Sequence, residues 1–247
     1  TFYTNSDGYL ITPETLPYSK SYSVVEMQAP YGYVLDSTPI YFDITAENTT
    51  EENGVTIVKT EKKNTPQKGT ITVEKTGEIF SNVTSSGEKE IVYQPEYSVS
   101  GLSGAVFEIY ADENITTPDG TVRYTKDTLV DAITTGEKGT ATSKQIHLGK
   151  YRVVEKTAPY GFVLNKTVNH IELTYSGQNE KVTNTSTSFT NDRQKVVIDL
   201  TKILEQDEKF NIGNNDEILN VSFGLYADED LKASNGTVIP ENGLIEI

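Results

Sequence analysis

Residues 151–162 read YRVVEKTAPYGF, and residues 22–33 read YSVVEMQAPYGY. Both stretches carry Tyr, Val-Val-Glu, Ala-Pro-Tyr-Gly and a closing aromatic. Their glutamates, Glu26 and Glu155, stand about 130 positions apart, a period that indicates tandem domains rather than a short-repeat solenoid. Side chains alternate faces along a strand. Tyr151, Val153 and Glu155 therefore share one face, as do Tyr22, Val24 and Glu26. Each glutamate continues an apolar stripe, where a core residue is expected.

Two further echoes set the register. Asn64 precedes TPQKGTITVEK, ending at Lys75, and Asn191 precedes DRQKVVIDLTK, ending at Lys202. FEIYADE at 107–113 matches FGLYADE at 223–229. The order in each unit is Lys, Phe-x-x-Tyr, Glu, Asn, and the unit is roughly 127 residues long. The chain divides into 1–66, the C-terminal part of a unit; 67–193, a complete unit; and 194–247, the N-terminal part of a third. The complete unit has about 11 more residues between its Lys and its Phe than the last one, assigned to a polar loop within 77–100. Strands are predicted at 69–76, 105–111, 121–125, 150–156, 167–175 and 181–191. Pro159 and Gly161 mark a turn after Glu155, and a short linker near 192–195 implies stiffly strung units.

Composition agrees with an all-β chain: 35% of residues are hydrophobic, and short runs are punctuated by Gly, Asn, Asp and Pro. A net charge of −15 without a basic patch excludes nucleic acid as a partner. No stretch is apolar enough for membrane insertion. There is no cysteine, so disulfides do not staple the domains. The chain starts at Thr1 without a visible signal peptide, so it reads as part of something longer.

Ile71, Val73 and Lys75 share a parity; so do Val196, Ile198, Leu200 and Lys202, and Phe189 and Asn191. A lone buried Lys or Glu costs several kcal/mol or changes its protonation state. Two of opposite sign, recurring with an Asn, suggest that they meet. A neutral lysine amine is a nucleophile, and a neutral carboxylic acid can donate to a carboxamide oxygen and shuttle protons. The corresponding chemistry is attack of Lys Nζ on Asn Cγ with loss of ammonia. A Lys–Glu ion pair at the sandwich edge, with Asn capping a turn, accounts for the same parity.

Other chemistries fit less well. His147 and His170, with no cysteine, do not make a metal site. Asp112 and Asn114 begin like a calcium loop, but Thr117 stands where the required Gly belongs. No phosphate loop or nucleophile elbow occurs. The apolar strand setting of Glu155 speaks against a glycosidase carboxylate pair.

The segments Tyr22-x-Val24-x-Glu26-x-x-Ala29-Pro30-x-Gly32-Tyr33 and Tyr151-x-Val153-x-Glu155-x-Thr157-Ala158-Pro159-x-Gly161-Phe162 resemble the E-box of Cna B-type domains. These are the SpaA-like, prealbumin-like domains of Gram-positive pilins and adhesins. KGTITVEKTGE at 68–78 looks like the family's Lys-bearing first strand, GLSGAVFEIY at 101–110 like its next strand, and SFTND at 188–192 like its closing Asn strand. The resemblance implies tandem Ig-like or prealbumin-like β-sandwiches, one complete and two partial, located on the cell wall.

It also implies an intramolecular isopeptide bond between Lys75 and Asn191, with Glu155 as the catalytic acid/base. Glu26 is the matching catalytic glutamate of the first copy, with Asn64 and Lys202 as unpaired cross-link candidates. No cofactor, no metal and no turnover catalysis are implied. Neighbouring domains of the same protein are the expected partners. The implied function is a stapled stalk module that resists force and proteolysis. The alternative is a ligand-binding adhesin domain contacting a host protein or glycan through loops such as 77–100 or 112–120. Met27-Gln28 and Phe162 depart from the usual motif without touching the reacting groups. A sorting signal and a clear Tyr-Pro-Lys motif are missing, which leaves pilin and non-polymerising stalk both open.

Overall fold

The computed structural model of the chain describes residues 1–12, 16–52, 55–213 and 217–247. Its elements are almost entirely strands. The N-terminal region holds β1 (Ser19–Val24), β2 (Tyr33–Val34), β3 (Ile40–Ile44), β4 (Thr50–Glu52), β5 (Val55–Ile57) and β6 (Thr65–Pro66). The middle holds β7 (Lys68–Ser86), β8 (Val92–Gly101), β9 (Val106–Ala111), β10 (Ile115–Thr116), β11 (Val122–Tyr124) and β12 (Leu129–Thr134). It continues with β13 (Thr140–Thr142), β14 (Ile146–His147), β15 (Gly149–Thr157), β16 (Val168–Leu173) and β17 (Val182–Asn191). A 3-10 turn at Glu217–Asn220 precedes β18 (Leu225–Tyr226), β19 (Leu231–Lys232), β20 (Val238–Ile239) and β21 (Leu244–Glu246).

Two sheets face each other across the main core. One has the order β12-β9-β15-β16; the other is built on β7, flanked by β13, β14, β8 and β17. Period-2 alternation drives this arrangement. Ile71 and Val73 of β7, Phe107 and Ile109 of β9, Tyr151 and Val153 of β15, and Phe189 of β17 turn inward and are fully or almost fully buried. The rings of Phe107 and Phe189 meet across the sandwich with centroids 4.8 Å apart. First and last strands, β7 and β17, pair in parallel, with Lys75 opposite Phe189 and Gly77 opposite Asn191.

The segment within 77–100 is not a loop. β7 continues to Ser86 and returns as β8, pairing from Thr76↔Gly101 to Ser86↔Val92. Most of β8 is exposed. A polar strand solvated on both faces has no hydrophobic alternation to read, which is why composition suggests a loop.

The stripe Val196, Ile198, Leu200 also departs from expectation. It forms no strand, and these residues are 89%, 71% and 57% exposed. β7 is held by β13, β14 and β17, and among the described residues of 204–247 no strand pairs with the later stripe.

Gln67 ties the N-terminal region to the sandwich. Its side chain donates to Gly177 O and Glu180 O (2.9 and 2.6 Å), while its Oε1 accepts from the Ser176 amide (3.0 Å). Its own amide donates to Gly32 O at 2.8 Å. Tyr31 meets Tyr175 edge-on at 4.7 Å.

Candidate functional site: a buried lysine, glutamate and asparagine

Strand alternation carries Lys75 to the inner face of β7, Glu155 to that of β15 and Asn191 to that of β17; all three are buried. Glu155 lies between the others. Both its oxygens accept from Asn191 Nδ2, at 2.8 and 2.9 Å. Lys75 Nζ is 4.0 Å from Glu155 Oε1, and neither side chain reaches solvent. The ammonium also donates to Thr76 O and Phe189 O, at 3.1 and 3.2 Å. Burial pushes the Lys75 amine below its ordinary pKa, and the opposing charge of Glu155 only partly restores it. Asn191 Oδ1 is buried and has no hydrogen-bond partner among the described residues. An orphaned buried carbonyl of this kind calls for a chemical explanation.

A further contact holds the carboxylate in place. The Asn165 amide donates to Glu155 Oε2 at 2.7 Å, and Asn165 Nδ2 donates to Thr190 O at 2.9 Å, beside Asn191. Asn165 Oδ1 accepts from the Thr167 amide. Sequence reasoning missed this residue because it acts on Glu155 through its backbone. The signal lies in the repeat, which extends beyond the closing aromatic: GYVLDST at 32–38 matches GFVLNKT at 161–167.

In the first copy, Asn64 Nδ2 donates to Glu26 Oε2 at 2.8 Å, and the amide of Asp36, the counterpart of Asn165, donates to the same oxygen at 3.0 Å. Glu26 and Asn64 are only half-buried. Lys62 pairs instead with Asp36 at 2.8 Å. Lys202 is exposed, and the structure brings it to neither Glu26 nor Asn64.

Both Ala-Pro-Tyr-Gly segments make the same turn. Tyr33 N donates to Pro30 O, and Phe162 N to Pro159 O, each at 3.1 Å. Gly32 and Gly161 have φ of 85° and 82°, which glycine alone adopts freely.

His170 and the 112–121 loop are engaged in ordinary contacts, whereas the buried Nδ1 of His147 has no hydrogen-bond partner among the described residues. His170 Nδ1 bonds Asp112 at 2.7 Å, and Asp119 binds Thr117, Thr121 and Arg123. His147 is half-buried beside Tyr124. Among the described residues no cluster of three or more His, Asp or Glu is arranged for a metal, and no helix is long and apolar enough to cross a membrane.

The architecture and site together define a two-sheet β-sandwich with a buried Lys–Glu–Asn triad between its first, middle and last strands. The model of the SpaA prealbumin-like fold domain matches residues 1–59 and 95–188, and the chain belongs to that family. The Trypsin-resistant surface T6 protein of Streptococcus pyogenes serotype M6 is 28% identical over 144 residues, covering 53% of this chain and 24% of that protein. The chain thus spans about a quarter of the length of that curated relative.

Among solved structures, the Bacillus anthracis TIE protein aligns at 26% identity over 72% of this chain and 26% of its own, with a TM-score of 0.41. The T6 backbone pilin of serotype M6 Streptococcus pyogenes aligns at 24% identity over 49% of this chain and 20% of its own, with a TM-score of 0.25.

Proposed function

We propose that the chain is a stretch of a structural shaft on a Gram-positive cell surface, of the pilin type, built from units 1–66, 67–193 and 194–247. In this reading the central unit closes its own covalent staple. The neutral amine of Lys75 attacks Cγ of Asn191. The new C–N bond forms, the Cγ–Nδ2 bond breaks, and the amide nitrogen leaves as ammonia. Glu155 takes the proton released from Nζ and delivers it to the leaving nitrogen, so that atoms and protons balance. The reaction occurs once per unit and is not turnover.

The observation that carries this reading is the shared carboxylate. Glu155 bonds the Asn191 amide and lies 4.0 Å from Lys75 Nζ, with both charged side chains sealed from water. The depressed Lys75 amine supports the nucleophilic role. The orphaned Asn191 Oδ1 supports the electrophilic one, because turning the carboxamide over would present that oxygen to Glu155 once it carries the proton taken from Nζ. A plain ion pair leaves Oδ1 unexplained. On a disulfide-like entropy scale, a link enclosing more than a hundred residues stabilises the fold by about 4–5 kcal/mol.

Intact-mass measurement tests the reading. A chain lighter by one ammonia is expected, with the deficit lost in Glu155→Ala. An unmodified mass in the parent chain overturns the staple. Finding the deficit on Asn64 rather than Asn191 by peptide mapping overturns the residue assignment.

A further inference from the structure

The hairpin formed by the outer halves of β7 and β8 continues past the end of the sandwich, onto residues 234–244. Three features show a fitted contact. First, backbone bonds cross the gap: Ser234 N donates to Phe80 O at 3.0 Å and Asn235 N to Ser81 O at 3.4 Å. The β7–β8 register shifts between Phe80 and Asn82. Such a bulge leaves a residue without a ladder partner and frees its carbonyl for another chain segment.

Second, Asn82 acts as a polar hub. Its Nδ2 donates to Glu96 Oε2 at 2.7 Å within the hairpin, while its Oδ1 accepts from Asn235 Nδ2 at 2.8 Å and Thr237 Oγ1 at 3.3 Å. Thr237 Oγ1 in turn accepts from Val83 N at 2.8 Å. Third, β21 joins β8 in parallel at Leu244↔Val92, so one hydrogen-bonded sheet runs from β13 to β18.

The base of the hairpin also holds the connecting segment. The Arg193 guanidinium lies 3.7 Å from the centre of the Tyr97 ring, and its Nε is 3.3 Å from Glu78 Oε2.

We propose that the 77–100 hairpin is an inter-unit splint, whose partner is the Ser234–Thr237 turn of the following unit of the same chain. It fixes the angle between consecutive units by grasping both the linker, through Arg193, and the next unit's turn, through Asn82. The proposal rests on the division of the chain at about residue 193 and is independent of the staple. The turn it grasps is the counterpart of Pro118–Thr121, since YADENITTPDGT at 110–121 aligns with YADEDLKASNGT at 226–237. At the first boundary the same turn is met differently: a Cβ on Gly32 would lie 2.5 Å from Pro118 Cγ. At both boundaries the following unit thus receives its predecessor on the same turn, and the hairpin replaces the Pro30–Gly32 turn in that role at the second.

Hydrogen exchange on the intact 247-residue chain tests it. The amides of Val83, Ser234 and Asn235 are expected to be protected. Replacing Ser81–Glu96 by Asn-Gly, a two-residue hairpin turn, is expected to speed exchange at Ser234 and Asn235 by about tenfold or more. The ammonia deficit should stay unchanged, which separates this proposal's failure from that of the staple. Asn82→Ala, a milder variant, should speed exchange at Asn235 and Thr237 severalfold. Unprotected Ser234 and Asn235 in the parent chain, or protection indifferent to both variants, overturns the splint.

Discussion

Glu155 and Glu26 occupy the same motif, accept from the same kind of asparagine, and receive a backbone amide ten residues later. They differ in what closes over them. Glu155 is sealed between two sheets with a lysine at 4.0 Å, whereas Glu26 is half-buried and the lysine of that region seen in an ion pair, Lys62, is on Asp36. The comparison separates two functions of one motif. The motif and its turn build a carboxylate socket for an asparagine wherever they occur. Only the second copy has a first strand that brings a lysine into the same core, which is what the proposed staple requires.

The largest expected break in the comparison comes from Glu155→Ala against Glu26→Ala. The first removes the ammonia deficit and forfeits about 4–5 kcal/mol of cross-link. The second leaves the deficit intact. Mass spectrometry and denaturant melts of the two variants check both statements, and a deficit lost in Glu26→Ala would erase the distinction.

Asn191→Ala sharpens the electrostatic side. It prevents the link and keeps Lys75 as a titrating amine, whose pKa in the fold is below its unfolded value. Between those two values the unfolded chain binds more protons than the native one. Stability should therefore rise with pH through that window and level off above the ordinary lysine pKa of 10.5. Melts from neutral to alkaline pH, compared with Lys75→Met/Asn191→Ala as the silent reference, read this out.

Next come the two turns. Gly161→Ala meets open space and incurs only the left-handed backbone strain, about 1–2 kcal/mol. Gly32→Ala incurs the same strain plus a clash with Pro118, so it should destabilise more and should loosen the Gln67 contacts. Equal melting shifts would show that the first boundary gives way freely. The smallest effect expected is that of Asn165→Ala, which loses the bond to Thr190 O and the local turn but keeps the amide on Glu155, about 1 kcal/mol. The ammonia deficit should persist, because the contact to Glu155 belongs to the backbone.

Much of the site was legible because strand parity is a strong code. Ile71, Val73 and Lys75, like Tyr151, Val153 and Glu155, face inward as their alternation dictates. Parity failed where one of its conditions was missing. Leu129–Thr134 carries a register shift between Leu129 and Asp131 that breaks the period. The 77–100 hairpin has little apolar face to alternate. Val196, Ile198 and Leu200 alternate correctly, yet have no sheet to face. Asn165 and Gln67 were invisible to side-chain logic, because one works through its amide and the other through contacts to a distant loop.

The parallel pairing of β7 with β17 has a consequence for extensibility. A pull applied through the two ends of the central unit enters at Lys68 and leaves at Asn191. Without a link, unravelling that stretch would pay out roughly 400 Å of chain at about 3.3–3.6 Å per residue. With Lys75 joined to Asn191, only the run from Lys68 to Lys75 carries the tension, and everything between Thr76 and Thr190 hangs as a slack side loop. That run is already a β-strand at about 3.2–3.4 Å per residue, so it has almost no length left to give. In that linked state the unit behaves as a segment of fixed length, and extension under load is left to the chain outside Lys68–Asn191.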